Sequence, residues 1–149
     1  MSVAFRRESD EEHLEPKFEL PLPTGPNLMT AAGPALIAAR IAGLEEAIAG
    51  SDTPEPLQRE LRYWKTRAAT AQVVPVPADG TAGIGSRVRF RLNGAERALT
   101  IVGHDEADGA ERIAFAAPLA RALIGTEAGD LADFQGRTDA IEIVSVENG

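Results

Sequence analysis

Asp52 and Glu55 stand three residues apart in Gly50-Ser51-Asp52-Thr53-Pro54-Glu55, a turn-rich break between two apolar repeats. Read from the residues alone, Asp-x-x-Glu at a helix start is a capping box that meets the free amides and the helix dipole. Two basic groups accompany them, Arg59, Arg62 and Lys65 in the second repeat and Arg87, Arg89 and Arg91 further on. Each is either a contact face or a solvated face paired with acids, Glu45 or Glu46 opposite the first and Glu96 beside the second. His104 lies among Asp105, Glu106 and Asp108, and one histidine among flexible acids reads as a polar loop. With no cysteine and only His13 and His104 as histidines, disulfides, thiolate sites and a His-rich zinc site are excluded, so no intrinsic metal or cofactor is expected.

The elements that must position these residues come from a chain of 149 residues, room for one ordinary domain or two small ones. Its 44% hydrophobic content supports a core, while 5% aromatics argue against an aromatic-lined small-molecule cavity. No apolar run approaches the ~18 residues of a membrane span, and no signal peptide is evident, so no membrane partner and a cytoplasmic location are expected. The net charge of −8 divides into −3 over residues 1–27, zero over 28–72 and −5 over 73–149. That field opposes autonomous binding of duplex DNA and favours a protein partner.

Residues 1–27 form a charged, proline-rich arm, in which Phe18, Leu20 and Leu22 could dock onto the body. Residues 28–72 carry two heptad seams: Ile37, Ile41, Leu44 and Ile48, then Leu57, Leu61, Trp64, Ala68 and Ala71. Thr53 reads as an N-cap and Pro54 as the first helical residue. Two seams joined by a turn near 50–55 predict an antiparallel coiled-coil hairpin with helices of roughly 19–21 residues, ~30 Å long. A Pro/Gly linker follows over 73–83. Beyond it the period becomes two, with Val88, Phe90 and Leu92 alternating with arginines before an Asn93-Gly94 hairpin turn. Strands are expected at 98–102, 113–115, 131–134 and 141–146, with a short helix over 118–124. The predicted class is α+β: the hairpin, then a small antiparallel sheet domain with one helix over 84–149.

Three runs carry a resemblance. They are Ile84-Gly85-Ser86, Ile101 to Asp108 (IVGHDEAD), and Pro118 to Gly125 (PLARALIG) with Gly129-Asp130 behind it. In this order and spacing they resemble the C-terminal domain of the GreA/GreB transcription elongation factors. Met29-Thr30, Gly33 and Ala71-Gln72-Val73 are similar to that family's hairpin boundaries. The resemblance implies an FKBP-like C-terminal domain that binds bacterial RNA polymerase at the rim of its secondary channel, with Ala117, Pro118, Arg121, Asp105 and Glu106 as contact residues. It implies a monomer associated only indirectly with DNA and nascent RNA. It also implies that Asp52 and Glu55 are the tip acids that help polymerase hold a second Mg²⁺, and that Arg59, Arg62 and Lys65 face RNA or polymerase. The protein itself would not be an enzyme.

Two departures shape the expected output. Each hairpin arm is roughly a dozen residues shorter than in those factors, which retracts the tip by ~18 Å. Contact with the polymerase Mg²⁺ is then possible only if the tip reaches it. Ala116 and Ala117 also precede Pro118, where the family commonly has a serine. The alternative reading is a short-hairpin regulator without cleavage activity that competes with cleavage factors, similar to the regulator of nucleoside diphosphate kinase. A remote alternative, an FKBP-like peptidyl-prolyl isomerase, lacks aromatic walls: after Trp64 only Phe90, Phe115 and Phe134 remain.

Overall fold

The computed structural model describes residues 19–149. Expectations for residues 1–18, Phe18 among them, lie outside the described residues. The described chain forms two compact units, one of residues 19–25 and 37–70, the other of residues 26–36 and 71–149.

Helix α1 (Gly33–Ala49) and helix α2 (Glu55–Thr70) are joined by the predicted turn. Seventeen and sixteen residues long, they are shorter than the repeat suggests, ~25 Å each. The missing turns have been spent elsewhere. Leu28–Met29 (β1) pairs in parallel with Gln72–Val73 (β2), so both ends of the apolar repeat become sheet. Gly33 can open α1 because a Cβ there would lie 2.5 Å from the Met29 sulfur. The pairing is antiparallel: Arg40 lies 5.2 Å over the Trp64 ring, and Lys65 meets Glu45 at 3.9 Å. Ile37 is buried, and Ile41, Leu44, Ile48, Leu57, Leu61 and Trp64 are half-buried, as the heptads require. Ala68 departs from the seam. It is exposed, while Arg67 is buried, with its guanidinium 6.0 Å over the Tyr63 ring. A long cationic side chain that lies along an aromatic face covers more apolar surface than a methyl group.

The second unit is built on a five-stranded sheet in the order β5-β4-β3-β7-β6. Its strands are β3 (Arg87–Leu92), β4 (Ala95–Val102), β5 (Arg112–Ala114), β6 (Leu131–Phe134) and β7 (Arg137–Glu147). Period-two alternation places Val88, Phe90, Leu99, Ile101, Ile141 and Ile143 on one buried face. Helix α3 (Pro118–Leu123) covers that face with Ala120 and Leu123. Ser86, also buried, donates its hydroxyl to Asn148 Oδ1 and accepts the Gly83 amide at 2.8 Å.

The expected purely antiparallel sheet is corrected in one place. β5 runs parallel to β4, pairing Ile101 with Ile113, and the sheet is therefore mixed. Two reversals in succession cause this. The chain turns at a 3-10 turn, His104–Glu106, and again where the Asp108 carboxylate accepts the amides of Ala110, Glu111 and Arg112 at 2.8, 3.0 and 2.9 Å. Among the described residues β5 and β6 end the sheet as separate edges, and the sheet is open.

Candidate functional site

At the hairpin tip the turn is held by backbone and serine, not by the acids. Ser51 N–H donates to Ile48 O at 3.2 Å, the Thr53 amide donates to Ser51 Oγ at 3.1 Å, and Gln58 N–H donates to Pro54 O at 2.8 Å. α2 thus starts one residue later than the Thr53 N-cap predicted, a difference typical of helix ends. Among the described residues no hydrogen bond or ion pair reaches the carboxylates of Asp52 or Glu55, and both are exposed. No capping box forms; Glu55 still stands in the first turn of α2, where the helix dipole favours an acid. No group of three or more His, Cys, Asp or Glu among the described residues is arranged to hold a metal ion.

On α2, Arg62 and Lys65 are exposed and Arg59 is half-buried. Lys65 has the cross-hairpin partner Glu45, and Arg62 is gripped by Glu19. In the sheet, Arg89 pairs with Glu96 at 3.2 Å, and Arg91 pairs with both Glu96 and Glu142 at 3.8 and 3.2 Å. These pairs join exposed side chains, and pairs of that kind add little to stability.

The PLARALIG run folds as α3, opened by Pro118 at the first helical position behind an extended Ala117. Ala120 and Leu123 point into the core, which leaves Pro118 and Arg121 exposed. With Ala122, Asp133, Phe134 and Gln135 they line an open groove of about 390 Å³. The last three come from the β6–β7 hairpin, whose turn holds Gln135 at φ 53° and Gly136 at φ 79°. Sequence reasoning did not nominate them. Gln-Gly in a two-residue turn was the available signal, weaker than Asn-Gly because glutamine seldom adopts positive φ.

The loop acids separate in role. His104 is exposed and Asp105 half-buried, but Glu106 is only 5% exposed. Its carboxylate accepts the amides of Thr30 and Gly103 at 3.0 and 2.8 Å, together with the Thr30 hydroxyl. Gly103 is required there, since a Cβ would come within 2.5 Å of Leu28 O. Glu106 is therefore an internal tie between residues 28–30 and the 3-10 turn, and its oxygens do not belong to the exposed surface expected for it. Asp108 is exposed, and its carboxyl is held below the usual carboxylate range, first by the Arg112 amide and then by those of Ala110 and Glu111.

The C-terminal unit is also where kinship is found. Residues 77–148 match the family model "Transcription elongation factor, GreA/GreB, C-term". Over this domain the chain matches the GreA/GreB family. No curated protein matches the chain. Solved structures similar to it include GreA factor homolog 1 of Thermus thermophilus, at 18% identity over 83% of this chain and 99% of that one, TM-score 0.39. Gfh1 of Thermus aquaticus has 18% identity over 83% and 99%, TM-score 0.40. The GreA/GreB factor of Nitrosomonas europaea has 24% identity over 83% and 98%, TM-score 0.39. Among the described residues, no helix is long and apolar enough to cross a membrane.

Proposed function

We propose that this GreA/GreB-family chain is a regulator that docks on bacterial RNA polymerase at the secondary channel through its C-terminal domain and modulates elongation without stimulating transcript cleavage. The observation that carries the output is hairpin length. Helices of 17 and 16 residues span ~25 Å each, roughly a dozen residues per arm short of the resembled cleavage factors. A carboxylate acts on Mg²⁺ only in contact, at about 2.1 Å. In the usual pose Asp52 and Glu55 stop far from the catalytic metal, and the hairpin competes with longer factors for the channel.

Docking is assigned to the α3 groove, which Pro118 and Arg121 line together with Phe134, and to Ala117 at the start of that helix. Asp105 is retained as a neighbouring contact, while Glu106 serves to hold the 3-10 turn that carries it. One observation favours the cleavage reading: the tip acids take part in no cap, so their charge is free for a partner. Arg59, Arg62 and Lys65 then remain candidates for a polymerase or RNA contact, and association with DNA and nascent RNA is indirect.

A backtracked complex separates the outputs. With purified polymerase, wild type should give no stimulated cleavage and should reduce cleavage by an added longer factor. Strong cleavage that disappears in Asp52→Ala/Glu55→Ala would falsify the non-cleaving assignment. Docking is tested by a pull-down against core polymerase, in which Pro118→Asp desolvates an unpaired charge and should abolish capture. Undiminished capture of a folded Pro118→Asp variant would remove the α3 groove from the interface.

A further inference from the structure

Residues 19–25 contain no helix or strand, and they belong to the same compact unit as α2. Glu19 takes hold of Arg62 with both oxygens: Nε donates to Oε1 at 2.9 Å and Nη2 to Oε2 at 2.6 Å. This two-pronged fit fixes the geometry of guanidinium against carboxylate, while both side chains stay about half exposed, at 56% and 47%. Leu20 and Leu22 join Glu19, Arg62, Tyr63, Lys65 and Thr66 around a groove of about 430 Å³. They remain 40% and 50% exposed, so the segment seats its acid firmly and its leucines only in part. Pro21 and Pro23 restrict the backbone between them, so the stretch has little freedom left to lose on docking. Arg62 hydrogen bonding, followed by the charges of Arg62 and Arg59, holds the Glu19 carboxyl below its usual range.

We propose that the α2 face formed by Arg62, Tyr63, Lys65 and Thr66 is a docking groove for an extended, acidic leucine–proline polypeptide segment. Residues 19–23 are its own tethered occupant, which a partner segment of the same chemistry must displace. The seated Glu-Leu-Pro-Leu-Pro defines the ligand class directly. The setting of Tyr63 favours polypeptide over nucleic acid: it stands edge-on to Trp64 at 87°, with ring centroids 5.2 Å apart, and has Arg67 over its ring, so it is not an open platform for base stacking. Exposed ion pairs are weak, so the occupant is releasable, and its tether supplies the effective concentration that a partner must overcome. This inference stands independently of polymerase docking by the C-terminal unit.

The test uses the full chain and a fluorescein-labelled peptide with the sequence of residues 18–26, read by fluorescence polarisation. Glu19→Gln/Leu22→Ser loosens the tethered segment and leaves α2 intact; it should bind the peptide about 5-fold more tightly than wild type. Arg62→Glu should lose the peptide and instead bind one carrying Lys in place of its Glu, which wild type ignores. Circular dichroism checks that helix content is retained, with Arg62→Gln as the milder replacement if Arg62→Glu unfolds. Equal peptide affinity across wild type, Glu19→Gln/Leu22→Ser and the Arg62 variant would overturn the groove. So would capture of a single-stranded RNA 12-mer, with no binding of the peptide, by the opened variant.

Discussion

The two units bury their apolar residues in different ways. The sheet unit closes around Val88, Phe90, Leu99, Ile101, Leu123, Ile141 and Ile143, each no more than 2% exposed. In the helical unit only Ile37 among the apolar seam residues is buried; the others are half-wet, and Ala68 is exposed. Two helices alone cannot enclose a core, because each presents one stripe and both flanks stay open to water. The sheet unit thus carries a closed core of its own, whereas the stability of the hairpin depends on few contacts.

Truncation of Phe90 should open the widest gap between the two. Phe90→Ala removes a fully buried ring at the centre of the sheet and should cost about 3–5 kcal/mol. Urea unfolding followed by intrinsic fluorescence and by amide exchange would check it. Loss of protection in β3, β4 and β7 ahead of α2 would support a division into separately stable units; simultaneous loss everywhere would dissolve the comparison.

Glu106 probes the tie within the sheet unit. Glu106→Ala orphans the buried Gly103 amide together with the partly buried Thr30 amide and hydroxyl. Unmet buried donors cost about 1–3 kcal/mol. The expected signature is a lowered Tm with early exchange of the β1–β2 amides. An unchanged Tm would show that water replaces the carboxylate and that the tie is dispensable.

These contacts mark the limit of what the sequence made legible. Period carries through: the heptads located both helices, alternation located β3, and Asn93-Gly94 located the β3–β4 turn, with Asn93 at φ 55° and Gly94 at φ 80°. Short elements without a period do not. β1 and β2 are two residues each and read as helix boundary, which is why both helices came out too long. β5 ran the wrong way because its direction depends on one carboxylate, that of Asp108, gathering three amides. Glu106 looked like a surface acid beside Asp105, since its donor Thr30 lies 76 positions away in the chain. Of the candidate site, the α3 residues were legible from their run, whereas Asp133, Phe134 and Gln135 joined the groove only through the β6–β7 turn.

Trp64 measures how thin the hairpin seam is. Its ring is half-buried, edge-on to Tyr63 and covered by Arg40. Trp64→Ala should cost about 2 kcal/mol, below the range for a fully packed indole. The loss should be confined to the exchange rates of α1 and α2. A destabilisation as large as that of Phe90→Ala would place Trp64 in a true core and erase the contrast between the units.

The smallest effect expected is acid loosening of the Asp108 turn, again a property of the sheet unit. Arg112, Ala110 and Glu111 donate their amides to the carboxylate, and these bonds favour its charged form. A carboxyl whose folded pKa is depressed stabilises fully above its unfolded value. That contribution disappears as pH falls through the folded value. The window therefore lies at and below the ordinary aspartate pKa of about 3.9, while neutral pH leaves the turn intact. The group is exposed, so the effect is local: the amide resonances of Ala110, Glu111 and Arg112 should titrate together with Asp108 and with a depressed midpoint. Asp108→Asn keeps the side-chain oxygen that accepts these amides and removes the charge, so it should hold β5 parallel to β4 and abolish the titration. If instead the Ile101–Ile113 pairing is lost in Asp108→Asn, the charge itself, and not the acceptor geometry, is what makes the second turn.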